Sequence, residues 1–148
     1  MKKKFLIAVT SFIIAIPLIL HWYTTSEDAY EKDMDAIQKM IELSPDRISG
    51  SGYDVMSDIE TVRVITKEAK HFKELYLKLF ELRIERHALK SEMYGVMQVG
   101  AEPRIAEIDT EMEQHMGNLH EYLEDFIEAA EDADVGDYSL EKFIEYIY

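Results

Sequence analysis

The first 23 residues constrain this chain more than any others: Met1-Lys2-Lys3-Lys4, then Phe5 to Leu20 without a charge, then His21-Trp22-Tyr23, after which acidic residues begin. As a helix rising ~1.5 Å per residue, positions 5–23 span roughly 28 Å, close to the hydrocarbon core of a bilayer. The stretch therefore predicts one transmembrane helix. By the positive-inside rule Lys2, Lys3 and Lys4 stay in the cytoplasm, and Trp22 and Tyr23 mark the opposite interface. Residues from 24 onward then face outward. The expected placement is a single-pass protein of the cell inner membrane with a periplasmic domain.

A lysine-rich start and an apolar run also describe an export signal. Here the run is longer than a typical signal core of about 7–15 residues, and it leaves through bulky His21-Trp22-Tyr23 rather than a small-x-small site. Retention as a signal-anchor is the preferred reading, and a cleaved signal is its alternative. Pro17 suits either, because membrane helices tolerate a proline kink when neighbours satisfy the freed carbonyl.

The chain has 148 residues and no cysteine, which leaves room for one modest outer domain without disulfides, thiolate metal sites or a lipid-modified cysteine. Stability must come from packing. After Tyr23 the chain carries 13 basic and 30 acidic residues. That excess argues against nucleic acid, whose phosphates want a basic surface, and against lying flat on anionic lipid.

Apolar periodicity predicts an all-α domain. A first outer helix is expected within 24–44: Tyr30, Met34, Ile37 and Ile41 recur at 4-3-4 spacing, and Thr25 with Asp28 resembles a capping box. Residues 45–53, with Pro45, Gly50 and Gly52, form the best loop. A second helix is expected from Asp54 or Asp58 to about Val99, carried by Val62, Ile65, Ala69, Phe72, Tyr76 and Leu79 at coiled-coil spacing. Its opening, Thr61-Val-Arg-Val-Ile-Thr66, is rich in β-branched residues, so a short strand there is the competing reading. A turn near 95–103 leads to a third helix from Pro103 to about Ala133, with Ile105, Ile108, Met112, His115 or Met116, Leu119, Tyr122 or Leu123, and Phe126 on its seam. The two long helices thus make an antiparallel helical hairpin over 54–133. A short C-terminal helix follows within 134–148, capped by Ser139.

Charge supports the hairpin separately from the apolar pattern. Residues 62–90 hold eight basic and four acidic residues, whereas 103–133 hold one basic and ten acidic. With a turn centred near residue 100, Lys78 is expected near Glu121 and Glu124, and Lys67 and Lys70 near Glu131 and Asp132.

Few motifs point to chemistry. Glu68-Ala-Lys-His71, with Glu74 a turn on, has the Glu-x-x-His spacing of di-iron bundles, but those need two such motifs and bridging carboxylates. A solvated helix face explains one copy. His115 and His120 stand five apart, where helical partners sit at three or four, so His115 reads as a seam residue and His120 as a surface one. Asp132-Ala-Asp134-Val-Gly136-Asp137 approaches a calcium loop without its closing glutamate. Arg83 and Arg86 interrupt the seam and read as stems buried with heads exposed, the rival being pairs with acids of the first helix. Nucleophile motifs and phosphate-cradling glycine loops are absent, so neither an enzyme nor a cofactor is expected.

What remains is a binding surface. The run from His120 to Tyr148 carries ten carboxylates against Lys142, and the chain ends on Phe143-Ile-Glu-Tyr-Ile-Tyr148. Solvation and core completion are the plain explanations. The functional one is recognition of a basic protein by Glu121, Glu124, Asp125, Glu128, Glu131 and Asp132, with Tyr138, Tyr146 and Tyr148 as aromatic contacts. The sequence thus leads to a membrane-anchored acidic binding protein, immunity- or adaptor-like, that captures or inhibits a basic partner outside the membrane. A structural coiled-coil subunit of a membrane complex, completed by another chain or by a second copy, is the alternative. A small extracytoplasmic sensory domain is the other.

Overall fold

The computed structural model describes residues 15–43, 52–93 and 101–135. These form helices with no strand among the described residues: α1 over 15–24, α2 Glu27–Glu42, α3 Gly52–Thr61, α4 Lys67–Met93 and α5 Ala101–Asp132. α4 and α5 make the most extensive contact and form the helical hairpin. α2 packs across both, and α3 lies against α4.

The core follows the expected seams. Tyr30, Met34, Ile37 and Ile41 of α2 are buried, as are Ala69, Phe72, Tyr76 and Leu79 of α4 and Leu119, Leu123 and Phe126 of α5. Burying such side chains contributes about 1.5–3 kcal/mol each, which is what a domain without cross-links depends on. Along α4 the rings of Phe72, Tyr76 and Phe80 follow one another at centroid distances of 5.7 and 6.0 Å, the one-turn spacing of a helix face. Tyr30 meets Phe126 at 5.6 Å, joining α2 to α5.

The expected unbroken helix from Asp54 or Asp58 to Val99 is instead two helices separated by the link 62–66. The seam reading failed here because a distant residue competes for the backbone. The carboxylate of Asp33, fully buried on α2, accepts the N–H of Ile65 at 2.8 Å and that of Thr66 at 2.6 Å. These are the main-chain donors of the N-cap residue Thr66 and of the residue before it, and Thr66 Oγ1 accepts an orphan donor of α4 itself, from Ala69, at 3.2 Å. On the other side Lys73 Nζ donates to the carbonyls of Glu60 and Val62 at 2.7 and 2.6 Å, satisfying the end of α3. The β-branched run supplies the low helix propensity that lets the break form there. A carboxylate and an ammonium clamp it from two sides.

The hairpin register also differs from the expected one. Arg86 pairs with Asp109 rather than with the neighbourhood of Gln114, and His71 meets Tyr122 edge-to-face at 5.5 Å rather than residues near Ala129. Arg104 holds the carboxylate of Glu85 through two hydrogen bonds of 2.9 and 3.2 Å and also reaches Glu107 and Glu111. Two interhelical ion pairs thus join the turn-proximal half of the hairpin.

α5 ends after Asp132 with Asp134 in the left-handed region at φ 64°, Asp134 N–H donating to the Glu131 carbonyl and Val135 N–H to that of Ala130. This is a Schellman ending, with buried Val135 as its apolar contact. α1 ends differently. The hydroxyls of Thr24 and Thr25 turn back to the His21 carbonyl at 3.0 and 2.9 Å, and that of Ser26 to Tyr23 at 2.8 Å. The expected Thr25/Asp28 capping box therefore does not form, because the Thr25 hydroxyl serves the end of α1 instead.

Of the expected span 5–23, residues 15–23 are helical; 5–14, like the basic tail 1–4, lie outside the described residues. Among the described residues no helix is long and apolar enough to cross a membrane. Residues 44–51, with most of the expected loop 45–53, residues 94–100, with most of the expected turn 95–103, and residues 136–148, with the expected last helix, also lie outside them.

Candidate functional site

α5 is a two-sided helix. Ile108, Leu119, Leu123, Phe126 and Ala130 point into the hairpin, and the positions between them are free to carry charge. Glu121, Glu124, Asp125, Glu128, Glu131 and Asp132 are all exposed. Their spacing of three and four residues puts them on one stripe. Tyr138, Tyr146 and Tyr148 lie outside the described residues.

The expected neutralisation of this stripe by α4 does not occur. Lys78 pairs with Glu81 of its own helix at 3.0 Å, and neither Lys67 nor Lys70 forms an ion pair with a described residue. Within the stripe, Glu124 faces the His120 imidazole at 3.3 Å. Glu121, Asp125, Glu128, Glu131 and Asp132 have no counter-ion among the described residues. Like charges at i,i+4 on a helix destabilise it by a few tenths of a kcal/mol per pair, so the stripe is a standing cost to the fold.

A second surface feature is α1. Ile16, Leu18, Ile19 and Leu20 are between 49% and 63% exposed, and Trp22 is 74% exposed. None of the described residues buries this helix, although the same chain buries the large apolar side chains of α2.

The other chemical candidates are absorbed by the fold. Glu68 accepts a hydrogen bond from the Tyr30 hydroxyl at 3.3 Å, and His71 rests on Tyr122. Burial, and next the charge of Glu68, push the Tyr30 hydroxyl up to about 12. The Arg104 guanidinium holds the Glu85 carboxyl below the usual carboxylate range. Arg86 pairs across the hairpin, whereas Arg83 is half-buried without an ion pair to a described residue, and desolvation pulls it below its usual value. His115 turns its Nδ1 inward, where it has no hydrogen-bond partner among the described residues. No group of three or more His, Asp or Glu side chains among the described residues is arranged to hold a metal ion. Asp132 and Asp134 are exposed, Val135 is buried, and Gly136 and Asp137 of the calcium-like stretch lie outside the described residues.

The Asp33 and Lys73 clamp is the polar feature that sequence reasoning missed. Its one signal was Asp33 itself, a carboxylate between Tyr30 and Ile37 on the apolar face of α2. Comparison with protein families, curated proteins and solved structures finds no match to this chain.

Proposed function

We propose that the chain is a membrane-anchored binding protein whose exposed acidic stripe on α5 captures or inhibits a basic protein outside the membrane, without catalysis. The observation that carries this reading is the set of five stripe carboxylates with no counter-ion among the described residues. A face that only knits the hairpin together would meet the lysines of α4, yet Lys78 pairs within its own helix and neither Lys67 nor Lys70 pairs with a described residue. Single-signed potential of this kind speeds encounter with an oppositely charged protein and selects against like-charged ones.

The uncovered apolar helix α1 supports anchoring, because its exposed leucines, isoleucines and Trp22 suit a lipid surroundings better than water. With Lys2, Lys3 and Lys4 ahead of it, the positive-inside rule orients the bundle to the periplasmic side. Two residues, Thr25 and Ser26, separate α1 from α2, so the bundle stands close to the surface in which α1 would be embedded.

The test is affinity capture of the full-length protein in detergent, at low and at high salt, with bound species identified by mass spectrometry. A stoichiometric basic partner released by high salt supports the reading. Recovery only of itself, or of membrane subunits that stay bound at high salt, sinks it in favour of a structural subunit.

A further inference from the structure

The clamped break between α3 and α4 leaves an open cleft of about 620 Å³ beside the link. Arg63, Val64 and Ile65 of the link line it together with Lys70, Lys73 and Leu77 of α4. Glu60 and Glu74 line it as well, so three cations stand against two carboxylates in a chain whose 30 acidic residues outnumber its 16 basic ones. The cleft is a basic island on an acidic molecule.

Lys73 is held by the clamp, and the other two cations are available. Arg63 and Lys70 are exposed, and neither forms an ion pair with a described residue. The backbone is available too. Ile65 N–H is taken by Asp33 and the Val62 carbonyl by Lys73, but the N–H and C=O groups of Arg63 and Val64 have no hydrogen-bond partner among the described residues. Unpaired main-chain donors and acceptors beside partly exposed Val64, Ile65 and Leu77 are the elements of recognition by added strand, in which main-chain hydrogen bonds give affinity and side-chain pockets give selection. The clamp holds the link in place before any ligand arrives, which lowers the ordering cost of binding.

We propose that this cleft docks a short acidic peptide segment of another protein, lying along Arg63 and Val64, with an aliphatic side chain against Val64, Ile65 and Leu77 and carboxylates toward Arg63 and Lys70. The occupant is acidic because the three cations lining the cleft outnumber its two carboxylates, and neither Arg63 nor Lys70 pairs with a described residue. This site is separate from the α5 stripe and selects the opposite charge, so either assignment stands without the other.

A displayed library of random seven-residue peptides, panned at low salt on the full-length protein in detergent, tests it. The counter-screen is the Arg63→Glu/Lys70→Glu double variant, whose changed side chains lie outside the clamp. Acidic sequences with an aliphatic residue are expected to enrich and to bind the double variant at least about tenfold more weakly, as loss of complementary charge predicts. On the unmodified protein their addition is expected to shift the amide resonances of Arg63 and Val64, a readout independent of how the variant folds. Enrichment without acidic bias, equal binding to both proteins, or shifts confined to α5 overturns the proposal. Association of the chain with itself that the double variant abolishes overturns it also, by making a second copy the occupant.

Discussion

Asp33 Oδ2 accepts the N–H of Thr66 at 2.6 Å, across 33 residues of chain, and the same carboxylate takes the N–H of Ile65. The start of α4 is thereby capped by a residue of α2. The Asp33→Ala variant is expected to lose roughly 3 kcal/mol, because it leaves two donors near the core unpaired as well as removing charge-assisted bonds. Urea unfolding checks the size. Hydrogen exchange of the Ile65 and Thr66 amides checks the place, and unchanged exchange there contradicts the capping role.

Tyr30 gives the fold an alkaline limit. Its hydroxyl is raised from the ordinary 10 to about 12 by burial and by Glu68, so the folded state keeps a proton that the unfolded chain releases. The stability this represents is fully present below pH about 10 and is lost as pH rises toward about 12. The Tyr30→Phe variant is expected to show a shallower fall in stability across that window, measured by denaturant titration at several alkaline pH values. An identical slope in both proteins assigns the effect elsewhere.

At the acid end Glu85 is the marker. Arg104 depresses its carboxyl, so its contribution is present above the ordinary carboxylate range and fades as pH falls through the depressed value. In Arg104→Ala the Glu85 carboxyl is expected to titrate nearer its ordinary value, read by carbon chemical shifts. Both side chains are partly exposed, at 40% and 43%, so the global melting temperature is expected to change little.

Gly117 sits in the middle of α5 with open space where a Cβ would go. Replacing it by alanine is expected to stabilise the protein by roughly 0.5–1 kcal/mol, the difference in helix propensity. A loss of stability in thermal unfolding would show that the glycine accommodates something packed against it.

The hairpin and α2 were legible because each buries a stripe with helical period: Tyr30, Met34, Ile37 and Ile41, and Phe72, Tyr76 and Leu79, are seams in the sequence and core in the structure. The break at 62–66 was not, because period and propensity are local while Asp33 acts from another helix. Register suffered likewise. Charge totals on the two long helices indicate that they attract, but Glu85–Arg104 and Arg86–Asp109 are individual geometries that no total contains. The acidic stripe could be read as exposed from its spacing between seam residues, whereas the lack of counter-ions among the described residues for five of its carboxylates required the register itself.

The central claim is that the α5 stripe binds a basic partner. The most direct measurement is parallel affinity capture with the full-length protein and a variant carrying Glu121→Gln, Glu124→Gln, Glu128→Gln and Glu131→Gln, both in detergent at low salt. Since the stripe repels itself, the variant is expected to fold at least as well as the parent, which circular dichroism verifies. The account predicts a basic protein retained by the parent and lost from the variant. A partner set that is the same for both proteins contradicts it.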